Sequence, residues 1–249
     1  MEKRRRFQGV LNILSFNRHF YISGVVVLAL FFACHILFEW PNFLFWPVTV
    51  TFLFGLIIPL IVSAYVYDYS GYYNFSWLDA IVPNPGKAAL VVNINAGFDE
   101  TSFIIKDKFA QSELRVFDFY NASRHTEPAI KRARKVSLVY PNTQLIESDN
   151  IPLHDKSADI IFLLSAVHEI RSHDEKVHFL AECHRMCKPG GQVIMVEHLR
   201  DIPNFLAFSV GFAHFFSRSV WKNAFKRAGF TSLRESKFTP FMSIFSCTP

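Results

Sequence analysis

Cysteine is scarce here, four in 249 residues, and no two form a C-x-x-C pair. Neither a disulfide framework nor a cysteine-built structural zinc site is therefore expected. Cys183 and Cys187 stand one helical turn apart, a spacing that a helical core face explains. A metal site joining them to His178 or His184 is the alternative, and no metal site is expected. Reduced thiols of a cytoplasmic domain fit better. Internal repeats and low-complexity tracts are also lacking, which leaves a globular reading. Most telling is the lack of formal charge in two long stretches.

Phe20 to Phe38 is about 19 residues without a charge and Phe43 to Tyr67 about 25 more. Each is long enough to cross a hydrocarbon core of roughly 30 Å as a helix. The linker Glu39-Trp40-Pro41-Asn42 has no Lys or Arg, whereas Lys3, Arg4, Arg5 and Arg6 precede the first run. The positive-inside rule then keeps the N-terminus, and everything after the second span, in the cytoplasm. A cleaved signal peptide fits less well, because the first run lacks a small-x-small site and a second span follows. His35, Pro47, Gly55 and Pro59 lie within the runs; prolines are common in membrane helices, and a neutral His can bond a neighbouring backbone. The net charge of +5 comes in small basic clusters, such as Lys131, Arg132, Arg134 and Lys135. On a tethered chain, anionic headgroups are the nearest polyanion, so a membrane and not nucleic acid is the expected partner.

Three regions follow: residues 1–67 as basic N-terminus and transmembrane hairpin, 68–87 as an aromatic connector suited to the interface, and 88–249 as a globular domain. In the last, short apolar runs alternate with amphipathic segments. Strands are expected at Ala89–Ile94, Leu114–Phe119, Gln144–Glu147, Ala158–Ser165 and Gln192–His198. Helices are expected near Ser102–Gln111, Glu127–Lys135 and Asp174–Cys187. This alternation predicts an α/β, Rossmann-like, mostly parallel sheet with helices on both faces. Ser172 and Glu175 have capping-box spacing, Val177, Leu180, Ala181 and His184 share a face, and Lys188-Pro189-Gly190-Gly191 stops the helix. Asp201 to Ser217 is apolar but too short to span: a core helix, or a lid in the headgroup layer over a greasy pocket. After the helical SRSVWKNAFKRAGF, Ser232–Phe238 and Phe241–Cys247 read as a closing antiparallel pair.

Ligands of such sheets bind outside the carboxyl ends of the strands. That rule selects Asn93 to Thr101, Asp118 to Tyr120, Ser148 to Ile151 and Ser165 to Ile170. Asp118, about 25 residues beyond the first turn, is placed to accept both hydroxyls of an adenosine ribose, or is an ordinary strand-end carboxylate. Asp149, with Asn150 before Ile151-Pro152-Leu153, is placed to accept from an adenine amino group, or is a plain turn residue.

The stretch ESDNIPLHDKSADIIFLLSAVHEI followed by FLAECHRMCKPGGQVIMVEH resembles the class I S-adenosylmethionine-dependent methyltransferases, and the likeness runs from about Asp68 to the end. The resemblance implies a seven-stranded sheet with one antiparallel strand and S-adenosylmethionine as cofactor. It carries ribose binding onto Asp118 and adenine binding onto Asp149, with Phe119 against the adenine face and Asn150 and Ser165 beside them. The family's first loop reads acid-x-Gly-x-Gly-x-Gly, but Asn93, Asn95, Gly97 and Asp99 stand in those places. Asn is the next most tolerant residue for left-handed backbone, so Asn95 substitutes without large strain. Asn93 can bond the amino-acid part of the cofactor without supplying charge, while Asp99 or Glu100 attracts its ammonium. Asp99 also suits capping of the next helix.

Transfer of a sulfonium-activated methyl group needs positioning above all. Where the acceptor is a hydroxyl or thiol a base is useful; His168 is the first candidate, with Glu169 or His198 behind it. The expectation is a membrane-anchored methyltransferase acting on a lipophilic small molecule or lipid. Its rivals are an inactive methyltransferase-like membrane scaffold and a nicotinamide-dependent oxidoreductase, the latter disfavoured by the missing pyrophosphate-cradling glycines. Oligomeric state is not indicated.

Overall fold

The computed structural model describes residues 5–82, 85–125 and 127–249; Lys3 and Arg4 of the basic cluster lie outside them. The chain opens with α1 (Gln8–Phe16), which breaks at Asn17 into α2 (Arg18–Phe38); after a tight link, α3 (Asn42–Ala64) follows. The π-helical turn Tyr65–Tyr69 extends α3. Both long helices are apolar enough to cross a bilayer. α2 buries none of its residues, and α3 buries only Phe45, Thr49, Pro59, Val62 and Ser63. Gly24 lets the two helices touch, since a Cβ there would lie 2.7 Å from Leu56. His35 stacks on Phe45 at 3.8 Å between centroids.

The remaining chain forms a seven-stranded sheet. Its strands are β1 (Leu90–Asn95), β2 (Glu113–Asp118), β3 (Gln144–Leu145), β4 (Ala158–Leu164), β5 (Cys187–His198), β6 (Ser232–Thr239) and β7 (Met242–Thr248). They lie in the order β3-β2-β1-β4-β5-β7-β6. β1 to β5 pair in parallel, and β7 runs antiparallel to both its neighbours. Period-two alternation splits the core between the faces: Ile161 and Leu163 of β4 face one cluster, Ile160 and Phe162 the other. The first cluster is closed by α5 (Pro128–Ala133), α6 (His173–Met186) and α8 (Arg218–Arg227), with Ile130, Phe179, Leu180, Trp221 and Phe225 pointing inward. The second takes Ile105 from α4 (Ser102–Lys108) together with Val66, Tyr72, Phe75, Trp77 and Leu78.

That last group corrects the reading of residues 68–87 as an interfacial connector. Tyr72, Phe75, Trp77 and Leu78 are buried against the sheet, each burial contributing about 1.5–3 kcal/mol. Among the described residues of this region Tyr69 is the exposed aromatic. α6 also differs in detail. Its buried stripe is Lys176, Phe179, Leu180, Cys183 and Met186, so Val177, Ala181 and His184 sit at the margin. Ser172 caps it by accepting from Glu175 N, yet the Glu175 carboxylate accepts from Ser148 Oγ at 2.7 Å. The helix ends at Met186, and Lys188 to Gly191 bulges out of the β4–β5 register inside β5, turning through Gly190 at φ +82.

Candidate active site

The parallel register places Asn95 of β1 beside Asp118 of β2, and both strands end at the same edge. Asn93 is buried, its Nδ2 donating to Thr101 Oγ1 at 3.2 Å and Ser102 Oγ at 2.8 Å. Asn95 Oδ1 accepts from Gly97 N at 2.7 Å, folding the loop back on itself. Gly97 has φ +78, the left-handed geometry that glycine serves best. Asp99 Oδ1 accepts from Thr101 N and Ser102 N and so caps α4. Three polar atoms of this loop are buried without a partner: Asn93 Oδ1, Asn95 Nδ2 and Asp99 Oδ2. Buried polar atoms are rarely left so, because each costs roughly 1–3 kcal/mol. Two acceptors and one donor are the complement of an ammonium and a carboxylate.

Glu100 does not share that role. It accepts from Gln8 and Asn12 of α1 and from Tyr73 Oη. α1 is itself held at its N-terminus by Asp68, which accepts from Gly9 N and Val10 N, and at its other end Phe16 meets Phe98 edge-on at 5.2 Å. The first turn is therefore roofed by a helix from the N-terminal segment, an element not expected from the sequence.

Asp118 is engaged by Arg134, whose Nη1 donates to Asp118 Oδ2 at 2.7 Å and to Ala96 O at 3.0 Å. The guanidinium lies over the Tyr120 ring at 4.1 Å and fills the space above Gly97, where a Cβ would fall 1.3 Å from Nη1. Arg134 thus occupies the place next to Asp118 where ribose hydroxyls were expected. Phe119 does not face this crevice: it is 1% exposed and packs on His125 and Phe179, so the ring available near Asp118 is Tyr120. Asp149 and Asn150 are exposed in a tight turn closed by Asn150 N donating to Glu147 O. They line a cavity with His154, Glu182 and Arg185, residues apart from the Asp118 cluster.

At the end of β4, Ser165 takes φ +50, its Oγ shares a 3.0 Å hydrogen bond with Tyr72 Oη, and one 3-10 turn (Val167–Glu169) follows. His168 Nδ1 lies 2.8 Å from Glu197 Oε2, and its Nε2 lies 3.5 Å from Glu169 Oε1. Burial works against charge on His168, but the carboxylates of Glu197 and Glu169 outweigh it and push the ring up to about 10. Burial likewise raises Glu169, and the His168 contact prevails to hold it low. His168 accordingly carries its proton near neutrality and is not a free base. His198 is not one either. Its Nε2 meets Tyr67 Oη at 2.9 Å, its Nδ1 meets Asn204 Oδ1 and Phe241 O, and burial pushes it down to about 4.

The sequence reading passed over four residues of this site. Glu197 was visible only as the acid ending an apolar strand. Arg134 stood in a basic cluster, and nothing local marked its partner. His214, at the end of the 3-10 stretch Ser209–His214, and Arg171 meet across a long sequence separation: Arg171 Nη1 donates to His168 O at 3.3 Å and His214 O at 2.7 Å.

Residues 111–195, about a third of the chain, match the family model described as a methyltransferase domain. No curated protein matches. Among solved structures, the PH0226 protein of Pyrococcus horikoshii OT3 aligns with a TM-score of 0.50 at 17% identity, over 71% of this chain and 89% of its own. Human N-acetylserotonin methyltransferase, in complex with SAM, aligns with a TM-score of 0.50 at 15% identity, over 78% of this chain. The chain spans 55% of that enzyme's length. The fold is the Rossmann-like fold of the class I methyltransferases. The cofactor this match supports is S-adenosylmethionine, and the three unpartnered atoms of the first loop, with Asp118 beside them, fit it once Arg134 moves aside.

Proposed function

We propose that this chain is an S-adenosylmethionine-dependent methyltransferase, anchored in a membrane by α2 and α3 and acting on a lipophilic acceptor at the cytoplasmic face. The observation that carries the reading is the set of buried, unpartnered atoms on Asn93, Asn95 and Asp99 beside Asp118. A pure scaffold has no reason to keep such atoms out of water. In this reading Asn93 and Asp99 hold the cofactor's ammonium, Asn95 its carboxylate, and Asp118 its ribose. When bound, the cofactor supplies a methyl group already activated by its sulfonium. His168, protonated between two carboxylates, orients and does not abstract, which suits a displacement that depends on positioning.

The membrane and acceptor parts rest on exposed apolar surface. α2 presents Val25, Val26, Leu30 and Ile36 outward, and α7 (Ile202–Phe208), packed against α3, exposes Ile202, Phe205 and Leu206 with Val210 beyond. Contiguous exposed apolar faces mark membrane or ligand contact. Of the two sequence readings of Asp201 to Ser217, the exposed face favours a lid over a core helix.

Calorimetric titration of the full chain in nanodiscs with S-adenosylmethionine tests the core of this reading. Asp118→Ala should weaken binding by about 1–3 kcal/mol, the loss of hydrogen bonds to a charged group. No heat of binding from the wild-type chain would instead favour the inactive scaffold.

A further inference from the structure

Two turns far apart in sequence bring three metal-binding side chains together. His168 and Glu169 lie on the turn after β4, His214 ends the 3-10 stretch after α7, and one donor atom from each lies within 4.8 Å of the others. It is the one such group among the described residues.

The spacing suits coordination. His168 Nε2 and Glu169 Oε1 are 3.5 Å apart, and a tetrahedral site with bonds of about 2.0–2.1 Å has ligand atoms roughly 3.4 Å apart. His214 then has to approach by at most about 1.4 Å, within the reach of a small side-chain torsion adjustment. The supports are also in place. Glu197, fully buried, accepts from His168 Nδ1 at 2.8 Å, the carboxylate–histidine arrangement that fixes a metal-binding ring and aims its other nitrogen, and binding of an ion displaces the Nε2 proton to solvent. Arg171 ties the carbonyls of His168 and His214 together. Glu169, its side chain 6% exposed, keeps Oε2 buried without a partner, and a cation satisfies such an atom.

We propose that His168 Nε2, Glu169 and His214 bind one divalent first-row transition ion of the zinc type, with Glu197 orienting His168. Two imidazoles and one carboxylate suit zinc, cobalt, iron or manganese, whereas calcium and magnesium prefer all-oxygen sites. Three protein ligands leave a fourth position open, as in catalytic and not structural sites. If the methyltransferase reading holds, a hydroxyl acceptor fills that position and the ion lowers its pKa. The hydroxyl proton then leaves to solvent, the oxygen bonds the methyl carbon, and the C–S electron pair stays on sulfur. That role rests on the reading above; the ion site does not.

The test loads the metal-stripped full chain with Co²⁺ and reads its visible ligand-field absorption and bound metal per chain. One ion per chain is expected, with binding lost in His168→Ala and Glu169→Gln and kept in His154→Ala, a control in the separate cavity. His214, part-exposed, gives the variants least disruptive to folding: His214→Ala should lose the ion and His214→Cys, which restores a donor, should regain it with a sulfur-shifted spectrum. Glu197→Gln should weaken binding roughly 10–100-fold. Substoichiometric metal in the wild type, or equal binding in His214→Ala and His214→Cys with an unchanged spectrum, overturns the proposal. S-adenosylmethionine titration on the same samples separates the two claims. A stoichiometric ion without cofactor binding defeats the methyltransferase reading and leaves the ion site standing.

Discussion

Arg134→Ala should tighten cofactor binding, although it removes two hydrogen bonds from the crevice. In the structure Arg134 Nη1 satisfies Asp118 Oδ2 at 2.7 Å and Ala96 O at 3.0 Å, the groups that a ribose beside Gly97 would meet. A hydrogen bond to a charged group contributes about 1.5–3 kcal/mol and a cation–π contact about 0.5–1 kcal/mol. The Arg134 side chain is 28% exposed, so solvent screening reduces the total to about 1–2 kcal/mol. The cofactor must overcome that amount before it reaches Asp118, and removing the arginine should raise affinity roughly 5–30-fold. Calorimetry on wild type and Arg134→Ala reads the difference directly. Salt gives a second signature: screening weakens the Arg134–Asp118 pair, so the gain from the substitution should shrink as ionic strength rises. Equal or weaker binding by Arg134→Ala would refute the reasoning and make Arg134 an arm that closes on the cofactor.

Gly97→Ala forces a Cβ to 1.3 Å from Arg134 Nη1 at φ +78, so it should dislodge the arginine and lower stability by about 1 kcal/mol or more, read by chemical denaturation. Trp221→Ala, at a fully buried side chain, should destabilise the sheet domain by about 3–5 kcal/mol; a loss under 1 kcal/mol would contradict its place in the core. His198 is held down to about 4 from 6.5, chiefly by burial, amid Tyr67, Asn204, Phe241 O, His168 and Asp201. Its unfolded form therefore binds the proton first, and stability should fall by about 3 kcal/mol as pH drops from 6.5 through 4, a fall that His198→Gln flattens in thermal melts. Phe205→Trp in nanodiscs should be quenched by brominated lipid; an unquenched tryptophan would remove α7 from the bilayer surface.

The fold was legible because its signals are local. The apolar runs of β1, β4 and β5, the capping serine at Ser172 and the helix-ending sequence after Met186 each report on their own few residues, and parallel β-α-β order follows from their alternation. Boundaries moved where tertiary contacts override local preference. Lys188 to Gly191 reads as a turn, and it lies within the span of β5 as an unpaired bulge between Cys187, opposite Ala158, and Gln192, opposite Ile160. Of the candidate site, the sequence marks only residues singled out by their position at a strand end, such as Asp118. Arg134 reaches Asp118 across 16 residues, Glu197 reaches His168 across 29, and Arg171 reaches His214 across 43. No periodicity encodes such meetings. The roof over the first loop was hidden for the same reason: α1 reads as a basic prelude to a span until Glu100 and Asp68 are seen to hold it.

The same contacts join the apolar helices of the molecule to the proposed site. α7 faces outward with Ile202, Phe205 and Leu206 and turns at Ser209, φ +50, directly into the 3-10 stretch that ends at His214. On the proposed membrane reading, a shift of α7 would reach His214, whose carbonyl Arg171 ties to that of His168. On the opposite flank α1, which leads directly into α2, holds Glu100 at the edge of the cofactor loop. Each half of the proposed site is thus one short element removed from an apolar helix. Extraction into a detergent that releases α7 should accordingly disturb the His214 donor more than Asp118, whose side-chain hydrogen bonds come from Tyr120 and Arg134 and not from α7. That asymmetry is the physical reason to expect metal affinity, more than cofactor affinity, to depend on the lipid environment.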